Sequence, residues 1–179
     1  MDNAHSCVTL NRLPAPRGEA LTSCDSSPSD ASKILPESLR AWTGSHTQYP
    51  REKTVATLFE EVVKTFPEAV ALVFEETRLT YSELNIRANR VAHRLRRMGA
   101  RPETMIACCL ERSTELIVAL LAILKTGAAY VPLDPAYPKE RLDFLIKDTG
   151  APLILTQSWL ASRVLAGHDL PFLLLDQTP

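Results

Sequence analysis

The side chains that could do chemistry in this chain are few and mostly isolated. Histidines stand at 5, 46, 93 and 168, and cysteines at 7, 24, 108 and 109. A nucleophilic triad needs a serine or cysteine brought against a histidine and an acid, and none of these histidines carries a local signature of that kind. His93 falls opposite the apolar stripe of its own predicted helix, where a solvated histidine is expected. The cysteine spacings lack the paired pattern of a zinc site. Two cysteines lie in a tail expected to be disordered, and two adjoin in a strand whose side chains alternate faces. That arrangement gives no disulfide framework, so reduced thiols are expected. No GxGxxG and no GxxxxGK[ST] occurs, so the backbone cradle for a nucleotide phosphate is missing. Arg87, Arg90, Arg94 and Arg97 line one side of a helix. Without interleaved aromatics they read as a solvated face rather than a nucleic-acid surface.

The stretch LKTGAAYVPLDPAYP, Leu124 to Pro138, is the most informative on the chain. Gly127 stops an apolar helix, Ala128 and Ala129 let backbones approach, and Tyr130-Val131 starts a strand. Pro132 and Pro135 keep that strand from extending within a ladder. Asp134 is placed to brace the following turn through its carboxylate. The chemistry here is conformational: the segment aims the chain from a buried helix into the next unit.

The elements that position these residues follow from periodicity and caps. Residues 1–33 are rich in Ser, Pro and small polar residues and are expected to be disordered. Residues 34–53 read as a linker, and residues 54–179 as the folded domain. Thr54 fits an N-cap, with Val55, Leu58, Phe59, Val62 and Phe66 at helical spacing and Pro67 as the stop. Ala69–Phe74 reads as a strand, and LTY pairs back on it after a turn. Thr80-Tyr81-Ser82-Glu83 has capping-box spacing. The helix it opens puts Leu84, Ala88, Val91, Leu95 and Met98 on one stripe before Gly99. Strands are then expected at 104–110, 129–133, 152–156 and 171–176. They alternate with helices at 113–126, 139–149 and 158–166. The pattern predicts an α/β fold with a mostly parallel sheet and right-handed crossover helices. The helix over Glu115–Leu124 is apolar on every side and must be covered on every side, and the last strand leaves an open edge. Both features imply an incomplete fold.

Composition bounds the function classes. The chain has 179 residues, 45% apolar and 23% charged, with a formal net charge of −1. That charge gives no general attraction to nucleic acid or to an anionic membrane. The longest apolar run, Leu116–Leu124, is about half of what a bilayer span needs. No secretory signal opens the chain, so a cytoplasmic protein is expected.

LKTGAAYVPLDP resembles, nearly letter for letter, a core motif of nonribosomal peptide synthetase adenylation domains. LTYSEL, Leu79 to Leu84, resembles a second motif at about the family's distance upstream. ERSTELIVALLAILKTG, DPAYPKERLDFLIKDTGAPLILT and RAWTGSHTQYPREKTVATLFEEVVKTFPEAVAL are similar to the family text around them. The resemblance spans about Leu35 to Leu175. Thr126 departs from it, standing where alanine is common.

The resemblance implies a piece of the large N-terminal subdomain of an acyl-adenylating enzyme. Such an enzyme joins a carboxylate to AMP, releases pyrophosphate and passes the acyl group to a carrier thiol. In the family, the Ser/Thr/Gly-rich phosphate loop, the acid that holds the substrate amine, the ribose-binding aspartate and the catalytic lysine all come later. None is found here, and Lys125 belongs to a different motif from the catalytic lysine. The resemblance therefore gives this chain no catalytic, cofactor-binding or metal-binding residue, with ATP and Mg expected only for the complete enzyme. The remainder of an adenylation domain and a carrier domain are the implied partners. Because Met1 precedes the tail, a first or stand-alone module is expected. The alternatives are a non-catalytic module that docks on a complementary synthetase fragment, or a fragment of an acyl- or aryl-CoA ligase. Expressed alone, the chain is expected to aggregate or to be partly molten.

Overall fold

The computed structural model describes residues 9–10, 49–164, 167 and 169–177. The remainder of the expected tail and linker, with Cys7, Cys24, His5, His46 and His168, lies outside the described residues. The chain divides into two compact units, Arg12–Lys53 and the rest. Within the described part of the smaller unit, Lys53 N–H donates to the Pro50 carbonyl at 3.3 Å and the Arg51 guanidinium lies 5.5 Å from the centre of the Tyr49 ring.

The long segment of the larger unit starts with helix α1 (Val55–Thr65), whose Thr54 hydroxyl accepts from Thr57 N–H. The helix lies on the surface: none of its residues is buried, and Val55, placed on the apolar stripe by its spacing, is exposed. Strands β2 (Val70–Phe74) and β3 (Thr77–Thr80) form a hairpin in which Phe74 faces Thr77 across a two-residue turn. Glu75 takes φ +51° there, the sign that tight hairpin turns demand. A short strand β1, Thr9–Leu10, lies within the tail expected to be disordered and pairs antiparallel with Val73 and Leu72.

Helix α2 (Tyr81–Arg97) starts at the capping box. The Thr80 hydroxyl accepts from Glu83 N–H at 3.2 Å, and the Glu83 carboxylate accepts from Thr80 N–H at 2.8 Å. Leu84, Ala88, Val91, Ala92 and Leu95 are buried along its inner face. Met98 falls past the helix end and is exposed, because the stripe runs out where the backbone leaves helical geometry.

The second sheet is wholly parallel. Strands β4 (Met105–Cys108), β5 (Ala129–Pro132), β6 (Ile154–Thr156) and β7 (Phe172–Leu174) lie in the order β5-β4-β6-β7. Between them run helices α3 (Thr114–Thr126), α4 (Lys139–Thr149) and α5 (Ser158–Val164). The strands are shorter than their apolar runs by one or two residues at one or both ends, since pairing stops before hydrophobicity does. Alternation along the strands separates two cores. Ile106, Cys108 and Leu155 pack with the hairpin, α2 and α3; Ala107, Cys109 and Ile154 pack with α4 and α5. Every residue of α3 is buried or half-buried, as its all-round apolarity requires. Leu116, Ile117, Leu120, Leu121 and Leu124 are the half-buried apolar ones.

Candidate functional site

The conformational segment around Gly127 is held by its own groups and by backbone bonds to β4 and the turn before it. Thr126 hydroxyl donates to the Ile123 carbonyl at 2.7 Å and accepts from Ala128 N–H at 3.3 Å, so it closes the end of α3. An alanine there would leave both bonds unmade. Gly127 takes φ +81°, and a Cβ on it would sit 3.1 Å from Pro102 Cγ. Glycine is needed at this position for both reasons. Pro132 stands opposite Cys108 on β5, an edge strand among the described residues, where a missing N–H is tolerated. Leu133 N–H donates to the Cys108 carbonyl at 2.9 Å. Asp134 then braces the turn as its sequence context predicts: its carboxylate accepts from Ala136 N–H at 2.8 Å and its carbonyl from Tyr137 N–H at 3.0 Å.

Lys125 is taken up in the same way. Its side chain is 5% exposed, forms an ion pair with Glu60 of α1, and lies 5.8 Å from the centre of the Phe59 ring. Arg96 donates to the Lys125 carbonyl at 2.7 Å. The bond from Lys125 holds the Glu60 carboxyl below its ordinary value, although burial opposes it. An ammonium committed to a neighbouring helix is a clamp between α1 and α3.

In an open α/β sheet, ligands bind outside the carboxyl ends of the strands where the strand order reverses. Here that place lies between β4 and β6. Gln157, 2% exposed, accepts from Glu111 N–H at 3.1 Å and ties the two loops together. Ser113 hydroxyl accepts from Leu116 N–H and caps α3. Beside them, Asp176 after β7 accepts from Ser158 N–H at 2.9 Å and from the Ser158 hydroxyl. Burial pushes the Asp176 carboxyl up, but the hydrogen bonds from Ser158 and from its own backbone together outweigh it and leave the group below its ordinary value. Gln157, Ser158 and Asp176 escaped sequence reasoning because their partners come from other strands, so no local spacing marks them. His93 is exposed on α2, as its place opposite the apolar stripe predicts. Cys108 and Cys109 are buried and form no disulfide, and burial, with Cys109 adjacent, pushes the Cys108 thiol up to about 12.

Among the described residues no three His, Cys, Asp or Glu side chains gather to hold a metal ion. Lys125 and Asp134, the motif's charged groups, are both engaged internally.

Residues 59–177 match the model of the family described as AMP-binding enzyme. The chain belongs to that family. The chain is 51% identical over 117 residues to gramicidin S synthase 2 of Brevibacillus brevis, covering 65% of itself and 3% of that protein. It is 46% identical over 131 residues to tyrocidine synthase 3 of Brevibacillus parabrevis, covering 71% of itself and 2% of the synthase. Among solved structures, the synthetase FmoA3 bound to α-methyl-L-serine-AMP superposes with a TM-score of 0.68 at 32% identity, over 73% of this chain and 15% of that one. The N-terminal subdomain of Klebsiella oxytoca NpsA superposes with a TM-score of 0.61 at 28% identity, over 69% and 30%. An artificial NpsA-ThdA fusion of an adenylation domain to a PCP gives 0.65 at 27% identity, over 72% and 25%. The chain thus spans a few per cent of its curated relatives and about a third or less of the solved chains. It is part of an adenylation domain of the nonribosomal peptide synthetase type. No described helix is long and apolar enough to cross a membrane.

Proposed function

We propose that this chain supplies part of the N-terminal scaffold of an enzyme that adenylates an amino or aryl acid for nonribosomal peptide assembly. In the complete enzyme, a carboxylate and ATP give an acyl-AMP and pyrophosphate. The family membership of residues 59–177 carries this reading. No residue of the chain is assigned a catalytic, nucleotide-binding or metal-binding role in it. Adenylyl transfer needs several donors and a metal converging on developing charge, and the charged groups of the motif here are spent on the fold. The partners in this reading are the rest of an adenylation domain and a carrier domain, in the cytoplasm, where the buried thiols stay reduced.

ATP–pyrophosphate exchange tests it. The chain alone is expected to give background exchange with amino and aryl acids; exchange at ordinary enzyme rates would overturn the reading. A chimera with residues 59–177 grafted into the matching segment of an adenylation domain of gramicidin S synthase 2 is expected to retain exchange. A soluble, folded chimera without exchange counts against scaffold equivalence. The exposed Phe172 on edge strand β7 favours a second reading, a non-catalytic module that docks on a complementary synthetase fragment. Tight binding of that fragment without exchange selects it.

A further inference from the structure

Between Glu83 and Glu103 the chain carries no acidic residue, while Arg87, Arg90, Arg94, Arg96, Arg97 and Arg101 fall in that interval. Arg87, Arg90, Arg94 and Arg97 follow one another at alternating three- and four-residue steps along α2, which places them on one face of the helix. Arg87, Arg90 and Arg97 are exposed, and Arg94 is half-buried. The buried stripe of Leu84, Ala88, Val91 and Leu95 fixes the rotation of the helix, so the arginine face is held outward by the core. Glu83 opens the same face, and its carboxylate is committed to the Thr80 backbone at the cap; no further acid follows on the helix.

We propose that this arginine face is a docking surface for an acidic helix on a neighbouring protein domain. Like charges three and four residues apart repel, so a row of carboxylates laid along the face would relieve that repulsion. Arginine favours carboxylates in particular, since its planar fork bonds both oxygens at once. The period matches a partner helix with Asp or Glu at its own three- and four-residue steps, set side by side over about two to three turns. A nucleic acid fits less well: no aromatic side chain interrupts the row to stack on bases, and the whole chain carries a net charge of −1.

The test uses the full chain and a synthetic helical peptide with glutamates at alternating three- and four-residue spacing. A peptide of the same composition with scrambled glutamates is the control. Fluorescence anisotropy at physiological salt is expected to show the patterned peptide binding about tenfold tighter than the scrambled one. Arg90→Glu with Arg97→Glu should abolish the difference, and Arg90→Lys with Arg97→Lys should give an intermediate affinity because the bidentate geometry is lost. Circular dichroism verifies that these exposed changes leave the helix intact. Equal binding of the two peptides overturns the proposal, as does unchanged binding by the charge-reversed variant. Tighter binding of a single-stranded oligonucleotide or of anionic vesicles than of the patterned peptide overturns it too.

Discussion

Glu60 of α1 and Lys125 of α3 close an ion pair across 65 residues of sequence, with the lysine side chain 5% exposed and the glutamate side chain 49% exposed. The pair holds an otherwise superficial helix onto the core. Lysine is the buried partner, so losing its acid leaves an ammonium in a poorly solvated place.

Glu60→Ala is therefore expected to destabilise the chain by about 1–2 kcal/mol, less than a fully buried pair because the glutamate is half wet. Lys125→Met should cost less, since it removes the charge with its desolvation and keeps the apolar stem. Urea midpoints of the two variants check the order.

Acid should loosen the same contacts. The carboxyls of Glu60, Glu83 and Asp176 all lie below their ordinary values in the folded chain. A depressed carboxyl stabilises the fold above its unfolded value, 4.5 for the glutamates and 3.8 for the aspartate, and loses that contribution as pH falls through the native value. The urea midpoint is expected to be flat down to about pH 5 and to drop steadily below it.

The end of α3 tolerates little change. Gly127→Ala places a Cβ at φ +81° against Pro102 and should cost about 1–2 kcal/mol. Thr126→Ala loses two hydrogen bonds but gains helix propensity, so a smaller loss of about 0.5 kcal/mol is expected. Thermal melts of the two variants separate these effects.

Strand β7, an edge strand among the described residues, presents Phe172, 46% exposed, and α3 keeps five half-buried leucine and isoleucine side chains. Each large apolar side chain left wet forfeits up to about 1.5–3 kcal/mol. Against a typical total of about 5–15 kcal/mol, even one such side chain matters. The chain alone is expected to bind a hydrophobic dye and to aggregate, and Phe172→Lys should slow aggregation by charging the edge. Light scattering over time reads the outcome.

Cys108 should resist alkylation in the folded chain, because its buried thiol ionises only near pH 12. Mass spectrometry of the peptide around residue 108 is expected to show labelling only when denaturant is added.

Much of the fold was legible in the sequence because its signals are local. Thr54, the Thr80–Glu83 box and Gly127 mark helix ends through contacts within a few residues, and all three act as such. The Asp134 turn was legible for the same reason. Alternation of strand and helix gave the parallel sheet, and the spaced motifs gave the family. The strand order β5-β4-β6-β7 was decided only in three dimensions, because a crossover helix specifies parallel pairing but not which neighbour the strand takes. The partners Lys125–Glu60, Gln157–Glu111 and Ser158–Asp176 likewise came from tertiary structure. A single side chain carries no record of which distant backbone it will meet. Tertiary packing brought these residues together, and so made Lys125 a clamp between α1 and α3.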